Sequence, residues 1–130
     1  MAIYKAINGN TKTCSGLKSL LNYVLRDEKV LEGYAELVGP HDHEKELSAK
    51  EIFAEWKMER DFWNKNDGRL YRHFMISFCR DENVVPALVL EIGKEFVENS
   101  FPRWQSLVCV HQDKDHLHCH IIVNSVSYES

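Results

Sequence analysis

No stretch of this sequence is apolar for the length of a membrane span, and no charged-then-apolar leader opens it. The chain is therefore expected to lack a membrane segment and to be cytoplasmic. No C-x-x-C pair occurs. Cys14, Cys79, Cys109 and Cys119 are scattered, as reduced thiols in a core or near a surface would be. No internal repeat or low-complexity tract is visible, and a hydrophobic share of 44% excludes a disordered chain. Acid is absent from residues 1–26, which hold Lys5, Lys12, Lys18 and Arg26. In residues 27–67, Asp and Glu instead outnumber Lys and Arg two to one. The net charge of −4 argues against a nucleic-acid partner, but this asymmetry would let one surface attract phosphate. Four basic residues are also compatible with chance clustering.

With 130 residues the chain is one domain with room for a core. Ala2 to Ile7 reads as a strand, and the turn-forming residues from Asn8 to Gly16 as a loop. Leu17, Leu20, Leu21 and Val24 recur at helical spacing, predicting a first helix from Ser15 to Arg26. Leu31 to Val38 suits a short strand or hairpin arm, and Gly39 to Glu44 a loop in which His41 and His43 are solvated. Ser48 and Glu51 form a capping-box pattern ahead of a second helix through Ile52, Phe53, Trp56 and Trp63. The spacing of Trp56, Phe62 and Trp63 favours core or boundary packing over base stacking. Asn66-Asp67-Gly68 is a turn, and Leu70 to Phe78 a strand with Arg69 and Arg72 at its start. Pro86 suits the first turn of a third helix carrying Leu88, Val89, Ile92 and Phe96, although Val85 is a poor cap. Ser106 to His111 and His116 to Val126 then read as an antiparallel hairpin closed by a tight acidic turn.

Strands interleaved with helices and ending in a hairpin predict an α+β fold. Its sheet should be mainly antiparallel, with the helices on one face. The sequence stops at Ser130 just after the last expected strand, as an N-terminal fragment would.

The densest chemistry lies between His111 and Asn124. His116, His118, His120, Ile122 and Asn124 alternate with Leu117, Cys119, Ile121 and Val123. Period two puts the histidines on one face of a strand. Imidazoles on a buried face need partners, and a metal ion is the simplest one. His118 and His120 point the same way, and His111 can reach across the hairpin. Three imidazoles leave coordination positions open for water or a phosphate oxygen. The donor set admits Zn, Mn, Ni or Co, and Mg if phosphates complete the shell. His116 faces the same way, one step nearer the turn, and suits a supporting or substrate-contact role better than ligation. Asp113 can hold a ligand imidazole's other N–H or accept a proton. Asp115 reads as a turn residue. Asn124 continues the face away from the turn, where it would contact substrate.

Tyr23 sits at the edge of the first helix's apolar stripe, with Ser19 and Arg26 as its neighbours on the helical wheel. Spacing alone favours a boundary tyrosine with its hydroxyl in water. A phenol becomes a nucleophile only where a base or cation helps it ionise.

The run H-x-D-x-D-H-x-H-x-H-I-I-V-N at His111 to Asn124 resembles the metal-binding motif of plasmid and transposon relaxases. These are mobilisation nucleases of the HUH superfamily, and the likeness is to tyrosine relaxases of the MobP type. Asn8-Gly-Asn-Thr-Lys-Thr with Leu20-Leu-Asn-Tyr23-Val-Leu-Arg-Asp-Glu-Lys29 resembles the family's tyrosine-bearing motif, and His73-Phe-Met-Ile-Ser-Phe78 its middle strand. The resemblance implies that Tyr23 attacks single-stranded DNA at an origin of transfer and forms a 5′-phosphotyrosine link. It implies a divalent ion on His111, His118 and His120, with Asp113 as the orienting or proton-accepting residue. Ser15, Ser19, Arg26, His116 and Asn124 become supporting or substrate-contact candidates. Accessory mobilisation proteins become expected partners. Two other classes fit the same residues: a non-catalytic, metal-stabilised nucleic-acid binding module, and a metal-dependent phosphodiesterase that uses water.

Overall fold

Period-two alternation near the C-terminus produces the two longest strands, and the rest of the molecule is arranged around them. The computed structural model describes residues 3–7, 13–25, 30–39, 47–65, 68–78, 84–113 and 116–127. The elements in chain order are β1 (Ile3–Ala6), α1 (Cys14–Val24), β2 (Val30–Val38), α2 (Ala49–Phe62), β3 (Tyr71–Phe78), α3 (Pro86–Ser100), β4 (Trp104–Asp113) and β5 (His116–Ser127). Five strands form one sheet in the order β1-β3-β5-β4-β2, with every neighbouring pair antiparallel. The histidine-bearing strand β5 is therefore central. His111 pairs with His118 and Asp113 with His116 across the expected hairpin. Asp115, His41, His43, Asn66, Asp67 and Cys79 lie outside the described residues.

Local signals start the helices. The Ser48 hydroxyl accepts from the Glu51 amide at 3.2 Å and caps α2. Thr13 caps α1 in the same way, accepting from Gly16 N at 3.0 Å, so α1 begins one residue before its predicted start. Val85 makes no side-chain cap, and Pro86 opens α3 with a ring whose missing N–H costs nothing there.

The helices do not share one face, as the sequence suggested. Leu17, Leu21 and Val24 of α1 join Ile52 and Trp56 of α2 against Tyr71, Leu107, Cys109 and Ile122. On the opposite face Val89, Leu90 and Val97 of α3 meet Phe74, Val108, Val110, Cys119 and Ile121. The reason lies in mid-strand composition. Beyond its histidines β5 is apolar on both sides, and Cys119, Ile121, Ile122 and Val123 are all fully buried. Each side chain of this size contributes about 1.5–3 kcal/mol on burial, so a bare second face would forfeit much of the fold's stability. Trp56 belongs to this core, whereas Phe62 at the end of α2 is 76% exposed.

Candidate active site

The end of α1 delivers Tyr23 to the polar end of the sheet face that α1 and α2 cover. Antiparallel register puts His73, Met75 and Ser77 of β3, His118 and His120 of β5, and His111 of β4 side by side there. His111 is 3% exposed, and its Nε2 donates to the Val24 carbonyl at 2.6 Å. That carbonyl is one of the acceptors a helix leaves unpaired at its C-terminus. In the neutral ring the bond puts the proton on Nε2 and the lone pair on Nδ1. His120 is 8% exposed, and its ring centroid lies 4.5 Å from that of His111. Its Nδ1 shares a hydrogen bond of 3.0 Å with His73 Nε2. The Tyr23 ring stands beside this pair, 6.0 Å from His111 and 6.2 Å from His120 between centroids. Tyr23, Ser19 and Leu20 line a pocket of about 540 Å³ with Ile7, Tyr71, His73, Met75 and His120.

Electrostatics favour neutral imidazole here. Burial, followed by repulsion from His111, pushes the His73 pKa down to about 4. At neutral pH His73 can accept a hydrogen bond from His120 without competing as a cation.

The other predicted site residues are placed unequally. His118 turns toward β3, where its Nδ1 bonds the Ser77 hydroxyl at 3.2 Å. His116 is exposed, with its ring 6.5 Å from that of His118. Among the described residues, no three His, Cys, Asp or Glu side chains stand together as a metal-holding group. The Asp113 backbone ends β4, and its side chain, like all of Arg26, lies outside the described residues. Ser15 is exposed at the far end of α1. Asn124 is fully buried and anchors α2 to the sheet. Its Oδ1 accepts from Arg60 Nη1 at 3.2 Å, and its Nδ2 donates to Trp56 O at 3.2 Å and Gln105 Oε1 at 3.0 Å. A side chain so enclosed holds the scaffold and does not face a substrate.

Sequence reasoning gave no role to His73. The alternation His73, Met75, Ser77 opposite Phe74, Ile76, Phe78 puts it on the polar face. Which strand it would meet became visible only with the register of β3 on β5.

Known proteins share this arrangement of sequence. Residues 23–130 match the family described as Relaxase: MobA/VirD2-like, nuclease domain. "Protein rlx" of Staphylococcus aureus is 34% identical over 122 residues, which is 94% of this chain and 34% of that protein. A second "Protein rlx" of the same species is 32% identical over 77 residues, covering 59% of this chain and 23% of its own length. "Group II intron-interrupted relaxase LtrB" of Lactococcus lactis subsp. cremoris (strain MG1363) is 34% identical over 64 residues, 48% of this chain and 11% of that protein. The chain thus spans about a third or less of the length of these curated relatives. With most of its length inside that match and a histidine face to go with it, the chain belongs to the MobA/VirD2-like relaxase nuclease-domain family.

Proposed function

We propose that this chain carries the DNA-nicking centre of a metal-assisted relaxase, with Tyr23 as the nucleophile. The observation that supports this reading is the Tyr23 ring beside the close pair His111 and His120, on the wall of an open pocket. The substrate is single-stranded DNA at an origin of transfer, and accessory mobilisation proteins are its expected partners. The phenol oxygen attacks the scissile phosphorus, and the bond from phosphorus to the 3′ oxygen breaks. The phenol proton passes to a base and the departing oxygen takes up a proton. The products are a 5′-phosphotyrosine and a free 3′-hydroxyl. One phosphoester replaces another, so attack by a 3′-hydroxyl reverses the step and rejoins a strand.

The chain's own residues prepare this centre. His111 bonds the carbonyl of Val24, next to Tyr23 in sequence, so ring and nucleophile are held by the same helical turn. If His120 donates from Nδ1 to the neutral His73, its Nε2 keeps a lone pair, as an ion ligand requires. The donor chemistry, imidazoles with one partner kept neutral by burial, suits a divalent ion such as Mn, Mg, Zn, Ni or Co. His111, His118 and His120 would hold it, with His118 able to keep its Nδ1 bond to Ser77 and offer Nε2. Bound there, the ion would supply Lewis-acid polarisation of the scissile phosphate. Asp113 is assigned the orientation of a histidine or receipt of the phenol proton.

The test is a covalent adduct. Protein is incubated with labelled single-stranded DNA carrying a cognate origin, with Mn or Mg, and resolved under denaturing conditions. An adduct that disappears with Tyr23→Phe and with chelator is expected. Cleavage that survives Tyr23→Phe would assign the chemistry to water. DNA binding with no adduct, in a longer chain as well, would leave a binding module.

A further inference from the structure

We infer that the groove between α1 and α2 seats one nucleotide of a single DNA strand beside the centre at Tyr23, with its base stacked on Phe53 and its phosphates at Lys18 and Lys50. The groove, of about 390 Å³, is lined by Lys18 and Asn22 of α1 and by Ala49, Lys50, Phe53 and Ala54 of α2. Its origin is local. Leu17 and Leu21 fasten α1 to Ile52 and Trp56 of α2, with Ala49 and Phe53 partly buried against the same core. One residue on from those leucines come Lys18 and Asn22, and the side chains that meet them across the groove include Ala49 and Ala54, too short to close the gap. A space of this size suits a small ligand or one unit of a larger one.

The groove is cationic and not neutralised from within. Lys57 and Lys94 are tied to carboxylates, of Asp61 and Glu36, both at 2.9 Å. Lys18 and Lys50 are exposed, and neither meets a carboxylate among the described residues. α1 contains no Asp or Glu, and Glu51 and Glu55 of α2 lie outside the lining. The Lys18 ammonium rests 4.7 Å from the centroid of the Phe53 ring. A base stacked on such a ring is worth roughly twice an exposed contact of this kind, so the base takes the ring face and the ammonium turns to a phosphate. Lys18 thus covers a stacking surface until a strand arrives. Asn22 Nδ2 donates to Lys18 O at 2.9 Å, and its Oδ1, without a partner among the described residues, is left to accept from a base. An aromatic ring beside unpaired cations matches the chemistry of a single strand, whose base faces are open.

The groove shares a wall with the pocket at Tyr23. Lys18 and Asn22 line it on one flank of α1, and their sequence neighbours Ser19 and Tyr23 line the pocket on the other. Lys18, Ser19 and Asn22 are all exposed, so a strand can cross the helix between the two. The width of a helix, about 10 Å, puts the groove too far away for the scissile phosphate and near enough for a flanking nucleotide. Granting the nicking reading, on which this assignment rests, the occupant belongs to the strand being cut.

The probe is a fluorescent oligothymidylate, titrated by anisotropy with the whole chain in chelator, beside a strand of equal length that lacks bases. Lys50→Ala should weaken both strands about three- to fivefold and lower the slope of log affinity against log salt by about 0.7. Lys18→Ala should lower the slope by the same amount but weaken oligothymidylate less than the abasic strand, because it also uncovers the ring. Phe53→Leu should weaken oligothymidylate at least about fivefold and leave the abasic strand unchanged. Lys94→Ala, on the far face, should change neither. Lys18 and Lys50 are exposed, so their variants report even if Phe53→Leu fails to fold. No binding of oligothymidylate to the wild type, or undiminished affinity and slope in both lysine variants, overturns the groove as a strand site. Phe53→Leu that weakens both strands alike overturns the seating of the base. Binding in chelator involves no covalent adduct, so the two readings fail separately. An adduct at Tyr23 with normal binding by the groove variants sinks the groove alone, whereas weakened binding with no adduct in any chain keeps the groove and sinks nicking.

Discussion

Replacing Gly93 with alanine tests how α3 is seated. Gly93 is buried on the face of α3 that meets the sheet. A Cβ added there would lie 2.4 Å from Cys119 Sγ and 2.7 Å from Val108 Cγ1. Ordinary packing needs about 3.5–4 Å, so helix and strands would have to part by roughly 1 Å or more. Neither neighbour can turn into solvent, because both are fully buried on the central strands β5 and β4. On propensity alone, Gly93→Ala should stabilise the helix by about 1 kcal/mol. Overpacking a rigid core costs about 1–3 kcal/mol, and a clash against two side chains belongs at the upper end. The packing term should therefore win by about 1–2 kcal/mol. Urea unfolding would show a lower midpoint with an unchanged slope. Cys119→Ala removes the nearer atom. In the double variant the Gly93→Ala penalty should shrink by about 1 kcal/mol, a coupling that a thermodynamic cycle isolates. A Gly93→Ala variant as stable as the wild type, or a cycle with no coupling, would refute the packing described for this face.

Other expectations concern the polar face. Asn124→Ala removes the amide that serves Arg60, Trp56 and Gln105, and should destabilise the fold by about 2–4 kcal/mol in the same unfolding assay, since buried partners are left unsatisfied. In metal-free protein, His73 is neutral when folded down to a pKa of about 4, while the unfolded residue takes up a proton near its ordinary 6.5. Its contribution is fully present above pH 6.5, declines as the pH falls through that window and is lost near 4, by up to about 3 kcal/mol. His73→Gln should flatten that part of the stability–pH curve relative to the wild type, and an unchanged curve would show that burial does not hold His73 neutral. The same variant should raise the concentration of Mn needed for a given thermal shift, because His120 loses the partner that orients it.

Much of this architecture is legible in the sequence because short-range rules dominate it. Ser48 with Glu51 marks the start of α2, Pro86 that of α3, and strict alternation from His116 identifies β5 and its polar side. What escapes is whatever depends on pairing between distant segments. The two-sided covering of the sheet follows from Ile122, Leu107 and Cys109 lying on the histidine face beyond the histidines, which needs the register of β4 on β5. The partnership of His73 with His120 needs that of β3. Arg60 is instructive in another way. It continues the Ile52, Trp56 stripe at four-residue spacing, so the periodicity does place it inside. An arginine on an apolar stripe is easily read as reaching out to solvent, and only the contact with Asn124 shows that its head stays buried.

The C-terminal end of α1 then explains why the helix matters more than its length suggests. Its carbonyl at Val24 holds His111, while Leu17 and Leu21 seat the rest of the helix in one core with Leu107, Cys109 and Ile122. Asn124 ties α2, which joins that core through Ile52 and Trp56, to the same strand that carries His120. A shift of α1 that moved Tyr23 away from the histidines would therefore break the bond between Val24 and His111 and open this core as well. The position of the phenol is thus set by an entire packed helix, not by the one turn that carries it.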